Sequence, residues 1–545
     1  MDGGSALVQT LIEHGIDTAF SVPGESYLPI LHAIQNASNR IKLITPRHES
    51  GVTFAAEAFG KLTGRPAAGF VSRGPGATNA SIGVHTAAQD STPLLLFVGH
   101  VPTSTKGREA FQEVDYHQMF GKIAKAVLEP ESSEDVADVT ARAIDISTAG
   151  RPGPVIVVMP KDITEGDAGA PTIPSPPRRA RTVPDRASVA EAAALINKAK
   201  RPLIVAGELI SIEDCSSDLI AFAEASGAAV ATAYRRQDTF PNNHGAYVGH
   251  LEINRVAFQR RLWEEADLVI AAGARLDGIS SQEFGFIGPE QMLLHIFPDV
   301  RSLANMNCEL AIAADVGPTL SALTDAIAPA SSERMAWRDS FHAEYDRFAQ
   351  PGSLEIFGPV DLSAIVVEMQ EQVRDDAIIL TDSGTFARWV HRFYRFTHPH
   401  TQAGPMSGAM GYSVPGAIGA AMAYPDRQTI AFVGDGGFLM SGQELTAAVQ
   451  HRLPIKIVLC DNNAWGSILV SQQRRYGEPG TFGTRLHSPD FAMVARGYGL
   501  DAFTVEKTDD FAGAFREALA IDGPALINVK LDERDVSPFT DEVSV

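Results

Sequence analysis

The feature that most constrains this chain is a rhythm that runs along almost its whole length: short apolar runs, bounded by glycine or proline, alternate with longer stretches of helical periodicity. A strand-length run without polar alternation is buried on both faces, as in a parallel sheet covered by helices. Strand and helix repeating in turn specify βαβ units and an α/β fold. Three sets of candidate strands stand out. The first is Ile41–Thr45, Ala67–Ser72, Pro93–Gly99 and Val155–Met159; the second is Pro202–Ala206, Ala228–Thr232, Leu268–Ala272 and Leu293–Phe297. The third is Ala377–Thr381, Thr429–Val433, Ile455–Cys460 and Ala525–Val529. The Pro- and Arg-rich stretch PTIPSPPRRARTVP at 171–184 has no apolar face and reads as a linker. The pattern predicts three doubly wound α/β domains with mainly parallel sheets, at 1–170, 188–330 and 359–545, joined by linkers at 171–187 and 331–358.

A length of 545 residues agrees with three domains at roughly 100–200 residues each. A formal net charge of −21 leaves no general basic field for a phosphate backbone, so nucleic acid is not an expected partner. Cys215, Cys308 and Cys460 have neither disulfide nor metal-ligand spacing, which fits a reducing cytoplasm. The sequence begins directly with an amphipathic pattern, and no apolar run approaches the ~18–20 residues of a membrane span. A cytoplasmic protein without membrane contact is expected.

The strongest chemical signal is the strand Thr429–Val433 running into Gly434-Asp435-Gly436-Gly437, followed by the strand Ile455–Cys460 ending in Asp461-Asn462-Asn463. If the two strands are adjacent and parallel, both loops meet at one carboxyl edge, where open α/β sheets bind ligands. Asp435 and Asn462 then offer a carboxylate and an amide oxygen, the hard ligands that Mg²⁺ takes alongside phosphate oxygens. The glycines permit close approach of a phosphate, and a helix beginning after Gly437 would direct N–H groups at it. A glycine turn and an Asx turn account for the same residues without any ligand.

Spacing and sequel favour the first reading. Gly434-Asp435-Gly436, then Asp461-Asn462 and a closing Gly466, resemble the thiamine diphosphate-binding signature, with Asp461 where that family has an asparagine. The resemblance implies that Asp435, Asn462 and the carbonyl of Ala464 ligate Mg²⁺, and that Gly434, Gly436, Gly437, Trp465 and Gly466 surround the cofactor. Near the other end, Arg47-His48-Glu49 and the helix-like GVTFAAEAFGKLTG resemble the activating-glutamate segment of the acetolactate synthase and 2-oxo-acid decarboxylase branch. A glutamate entering a helix is ordinarily a partner for the helix dipole. The resemblance gives Glu49 a catalytic role instead: its carboxyl group hydrogen-bonds the cofactor's aminopyrimidine, which then acts as the base at the thiazolium carbon.

Further segments follow in the family's order. Phe20-Ser21-Val22-Pro23-Gly24 resembles its first strand and loop, so Pro23 and Gly24 are candidate cofactor contacts; Gly76 and Asn79 lie in a Gly-Pro-Gly-Ala-Thr-Asn turn assigned beside the pyrimidine. Gly384, Thr385 and Phe386 lie in the matching second diphosphate loop. Ser407–Tyr412 resembles the segment in which Met410 wedges the cofactor and Gly408 accepts from its amino group, although methionine among small residues is ordinarily core filler. Ala110–Asp115 is similar to the acetolactate synthase segment where Phe111 and Gln112 line the substrate side, and the His-His pair of simple decarboxylases is absent from it. His117 nearby reads as an ordinary surface histidine.

The middle third departs from the branch. Gly273–Gly278 differs from the flavin-binding members, which puts FAD in doubt, and the stretch YVGHLEINRVA at 247–257 lacks the Met-His-Gly run that those enzymes place near the active site, which points to a relative with a different substrate. The resemblance implies decarboxylation of a 2-oxo acid followed by protonation or by capture with a carbonyl acceptor. It also implies a homodimer, or a dimer of dimers, with Glu49 and the metal loops meeting across the interface. A lyase or hydrolase acting on a diketone or acyl-CoA uses the same scaffold, and a non-catalytic cofactor-binding protein would have no need of Glu49.

Overall fold

The computed structural model describes residues 1–170, 172–176, 180–253 and 255–539. Pro171 and Pro177–Arg179 of the expected linker 171–187, and Asn254 of the stretch 247–257, lie outside the described residues. The chain folds as three domains, each a six-stranded, all-parallel sheet flanked by helices.

The first sheet contains β1 (Thr18–Ser21), β2 (Lys42–Ile44), β3 (Ala68–Ser72), β4 (Leu94–His100), β5 (Ala126–Leu128) and β6 (Pro154–Pro160), in the order β2-β1-β3-β4-β6-β5. The second contains β7 (Pro202–Ala206), β8 (Ala229–Thr232), β9 (Tyr247–His250), β10 (Leu268–Ala272), β11 (Met292–Ile296) and β12 (Leu310–Ile312), in the order β12-β11-β10-β7-β8-β9. The third contains β13 (Ile378–Thr381), β14 (Gln402–Ala403), β15 (Thr429–Gly434), β16 (Ile455–Asp461), β17 (Asp501–Val505) and β18 (Ala525–Lys530), in the order β14-β13-β15-β16-β18-β17. The outer two domains therefore share one topology. The middle one has the order of a dinucleotide-binding fold.

Strands that lacked a sequence signal are mostly edges. β5, β9, β12, β14 and β17 each end a sheet, and an edge strand needs neither length nor a continuous apolar run. The expected linker 331–358 carries a helix, Ser332–Phe348, with Phe341 and Tyr345 buried in the middle domain's core. Its remaining surface is largely polar, which hid its periodicity.

The two outer domains share a core through the helices Glu49–Thr63 and Ser413–Ala423. They meet so closely that a Cβ on Gly419 would lie 2.0 Å from the carbonyl oxygen of Ala55, so only glycine fits there. No helix among the described residues is long and apolar enough to cross a membrane.

Candidate cofactor site

β15 and β16 are neighbours in parallel register, with Gly434 opposite Cys460, so their carboxyl ends deliver Asp435 and Asn462 to one edge. The helix after β15 begins at Asp435 rather than beyond Gly437, placing Gly436 and Gly437 in its first turn. Glycine at 436 is required by packing: a Cβ there would sit 2.1 Å from the Trp465 ring. Asp435 is 2% exposed, and its Oδ2 accepts from Ser488 Oγ at 3.2 Å. Burial, with Asp461 nearby, raises its pKa. A cation at this edge would relieve that cost.

Asp461, the departure from the family's asparagine pair, belongs to β16 and is fully buried in an ion pair with Lys530. Its Oδ1 has no partner. Asn462 follows the strand, and its Oδ1 accepts from the Ala464 amide at 3.2 Å. A carboxylate, an amide oxygen and a nearby main-chain carbonyl form a hard donor set suited to Mg²⁺.

The second diphosphate loop follows β13. The Phe386 ring lies against Gly384 and Gly434, where added Cβ atoms would approach it to 2.4 and 2.9 Å. Asp382, fully buried, accepts from the amides of Ser383, Gly411 and Ser413 at 2.6, 3.0 and 3.2 Å. Burial pushes it up to about 6. It thereby ties the loop to the segment carrying Gly408 and Met410, where Gly408 and Gly411 adopt φ of 70° and 80°.

These parts converge. Gly384–Phe386, Gly408, Met410, Gly434–Gly437, Asn462 and Ala464–Gly466 line one cavity of about 500 Å³, a size suited to a cofactor. The N-terminal candidates are elsewhere in the chain. Glu49 opens its helix, and its Oε2 accepts from Asn79 Nδ2 at 2.9 Å. A Cβ on Gly76 would lie 3.5 Å from Glu49 Oε1, while Gly24 packs on Ser72 and Pro23 is exposed. Phe111 is 76% exposed, and Gln112, with φ of 65°, accepts from the Gly74 amide through its carbonyl. None of these lines the cavity, whose wall takes no residue before Tyr234.

The cavity has further walls that the motifs did not indicate: Tyr234, Arg235 and Ile253 from the middle domain, and Arg388 and His391 from the helix Ala387–Phe393. Behind them Glu252 Oε1 is hydrogen-bonded to His391 Nδ1 at 2.7 Å and His250 Nε2 at 3.2 Å. An Arg-Arg pair just beyond β8 was the available signal, because strand ends in such sheets face ligands.

Comparison with known proteins defines the class. Residues 1–119, 189–323 and 382–529 match the N-terminal TPP binding, central and C-terminal TPP binding domains of thiamine pyrophosphate enzymes, and the chain belongs to that family. Its similarity then falls on the acetolactate synthase-like branch. It is 31% identical to the acetolactate synthase isozyme 1 large subunit of Escherichia coli, over 98% of this chain and 95% of that protein. It is 31% identical to the acetolactate synthase large subunit of Parasynechococcus marenigrum (97% and 87% covered) and 29% identical to a probable acetolactate synthase large subunit of Methanocaldococcus jannaschii (99% and 93%).

Proposed function

We propose that this enzyme decarboxylates a 2-oxo acid and transfers the remaining carbon unit to a carbonyl acceptor, using thiamine diphosphate and Mg²⁺. The observation that carries the reading is the convergence of the metal-type oxygens, the two glycine loops and Met410 on a single cavity. Thiamine diphosphate bound there supplies a nucleophilic thiazolium carbon and an electron sink. Asp435, Asn462 and the Ala464 carbonyl are the proposed Mg²⁺ ligands. Gly384, Thr385, Phe386, Gly434, Gly436, Gly437, Trp465 and Gly466 shape the diphosphate end, while Gly408 and Met410 orient the rings. Glu49 is assigned the hydrogen bond that makes the pyrimidine basic, with Pro23, Gly24, Gly76 and Asn79 beside it and Phe111 and Gln112 towards the substrate.

Because the Glu49 group does not line its own chain's cavity, the reading includes a homodimer in which each chain completes the other's site. Exposed Phe111 suits such an interface. Free thiols at Cys215, Cys308 and Cys460 support a cytoplasmic location. FAD is not part of the proposal, and a visible flavin absorption band in the purified protein would correct it.

The deciding experiment incubates the protein with pyruvate, thiamine diphosphate and Mg²⁺ and measures carbon dioxide and acetolactate. No carbon dioxide from pyruvate or longer 2-oxo acids would refute the reading. Co-expressed Glu49→Gln and Asp435→Asn chains should regain roughly a quarter of wild-type activity, since in a twofold dimer half the pairs are mixed and each has one intact site. No recovery from two folded variants would refute the shared site.

A further inference from the structure

The stretch that carries Gly408 and Met410 has no regular structure of its own. Residues 404–412 run from β14 to the helix Ser413–Ala423 and include Gly404, Gly408 and Gly411. Glycine loses the most backbone freedom on ordering, so such a stretch keeps one shape only if its surroundings impose it. Its C-terminal end is tied within its own domain, where Asp382 accepts from the Gly411 and Ser413 amides. Further ties come from the N-terminal domain.

Two helices of that domain supply them, each from two residues one turn apart. From the helix Glu49–Thr63, Lys61 Nζ donates to the Gly404 carbonyl, and Glu57 Oε2 accepts from the Tyr412 hydroxyl at 2.5 Å. From the helix Arg73–Asp90, Asp90 Oδ2 accepts from the Met406 amide at 3.2 Å, and Thr86 Oγ1 lies 2.9 Å from Ser407 Oγ. Thr86 gives its one hydrogen to the Ile82 carbonyl at 2.9 Å, so Ser407 is the donor between the two hydroxyls. Glu57, Thr86 and Asp90 are fully buried.

None of these four residues lines the cofactor cavity, whereas Gly408 and Met410 do. Residues 404–406, 411 and 412 are buried, and 407–410 are at least partly exposed. The stretch is therefore an arch pinned at both ends, with Gly408 and Met410 on its open span. Thr86 is the pin on that span, at the residue before Gly408. Apolar contacts would join the two domains equally well, because a buried ion pair is weak evidence for stability. What hydrogen bonds add is direction, and here they are made to the arch's own carbonyl, amide and hydroxyl groups.

We propose that Thr86 is a positioning residue for the cofactor: by accepting from Ser407 it sets the Ser407–Gly408 peptide and, with it, the place of the Met410 side chain. Lys61, Asp90 and Glu57 hold the ends of the arch. The proposal rests on the functional reading above and deepens it, since Thr86 acts only through Gly408 and Met410. The metal and glycine loops hold the diphosphate end independently of this pin. Its loss therefore changes how the cofactor's rings are placed and leaves affinity nearly untouched.

The test compares Thr86→Val, which keeps the shape and removes the acceptor, with Thr86→Ser, which keeps the hydroxyl. The first readout needs no cofactor: methyl NMR of protein labelled at its methionine methyl groups, with the Met410 signal assigned through Met410→Leu. That signal should be displaced or split in Thr86→Val and keep its wild-type position in Thr86→Ser. The second readout, on protein loaded with Mg²⁺ and thiamine diphosphate, is exchange of the thiazolium C2 proton with deuterium oxide. It should be roughly fivefold slower in Thr86→Val, the effect of one lost hydrogen bond. The calorimetric Kd for thiamine diphosphate should stay within about twofold of wild type, because the lost contact does not bear on uniform binding. An unmoved Met410 signal, or exchange at the wild-type rate, would overturn the proposal. A Kd weakened by the same factor as the exchange would also overturn it, being the mark of general loosening. If Thr86→Val fails to fold, Ser407→Ala removes the same bond and is read in the same way. Failure of the wild type to bind thiamine diphosphate would refute the functional reading, and the Met410 signal alone then decides whether Thr86 sets the arch.

Discussion

Replacing Lys61 by methionine tests the charge network that joins the three domains. Lys61 lies in the helix Glu49–Thr63 with its side chain 0% exposed; Nζ is 2.6 Å from Asp90 Oδ1 and also donates to the Gly404 carbonyl. Asp90 holds two further partners, Arg236 from the middle domain at 3.4 Å and the Met406 amide at 3.2 Å. Glu57, one turn from Lys61, accepts from Thr92 Oγ1 at 3.0 Å and from the Tyr412 hydroxyl at 2.5 Å. Methionine fills most of the space but removes the cation and strands the Gly404 carbonyl. Breaking a buried pair costs about 3–5 kcal/mol. Arg236 remains on Asp90, so the loss belongs at the lower end, about 3 kcal/mol. Chemical denaturation followed by tryptophan fluorescence should show the first transition shifted by that amount. Asp90→Asn in the same background should cost less than it does alone, because the two residues share one interaction. A loss under about 1 kcal/mol, or strict additivity of the two substitutions, would refute the view that this pair holds the domains together.

Three further outcomes follow from individual contacts. Gly436→Ala places a Cβ 2.1 Å from the Trp465 ring and must displace it, so calorimetric titration should show at least a tenfold weaker affinity for thiamine diphosphate. Asp435→Asn removes the only carboxylate among the three proposed metal ligands, and the Mg²⁺ concentration for half-maximal activity should rise at least tenfold. Glu444 accepts from the amides of Arg47 and His48 at 2.8 and 2.9 Å, and burial raises it from 4.5 to about 7. The folded state thus binds the proton more tightly than the unfolded chain, so this contribution is present below pH 4.5 and is lost as pH rises to about 7. Melting temperature measured against pH should decline less across that window in Glu444→Gln; an unchanged slope would contradict the assignment. Glu57, also raised to about 7 by burial and by Asp90, keeps part of the slope in the variant.

Interior strands were legible because burial on both faces leaves little that is polar in them: β4, β6, β7, β10, β15 and β16 each read as a mainly apolar run, with polar residues such as His100, Thr429 and Asp461 at their ends. β5, β12 and β17 were not, because an edge strand is partly solvated and its residues need not be apolar. β9 and β14 are buried edges, but short ones that offered no separable run. The glycine loops at 384 and 434–437, and Asn462, were legible because a chain that must turn tightly at a strand end and approach a phosphate has few residue types available.

The order of strands along the chain, the three-domain pattern and the residue types of the metal and diphosphate loops thus follow from local sequence, since each depends on periodicity or on a backbone conformation. The charged wall does not. Arg235, Glu252, Arg388 and His391 come from separate domains, and arginine, glutamate and histidine are ordinary surface residues in any local window. Only the packing of the middle domain against the C-terminal one brings them together beside the cofactor cavity. Tertiary structure likewise decided that Glu49 stands apart from that cavity in its own chain, because the outer domains are held in place by the fit of Gly419 against the Ala55 carbonyl, a contact between residues far apart in sequence.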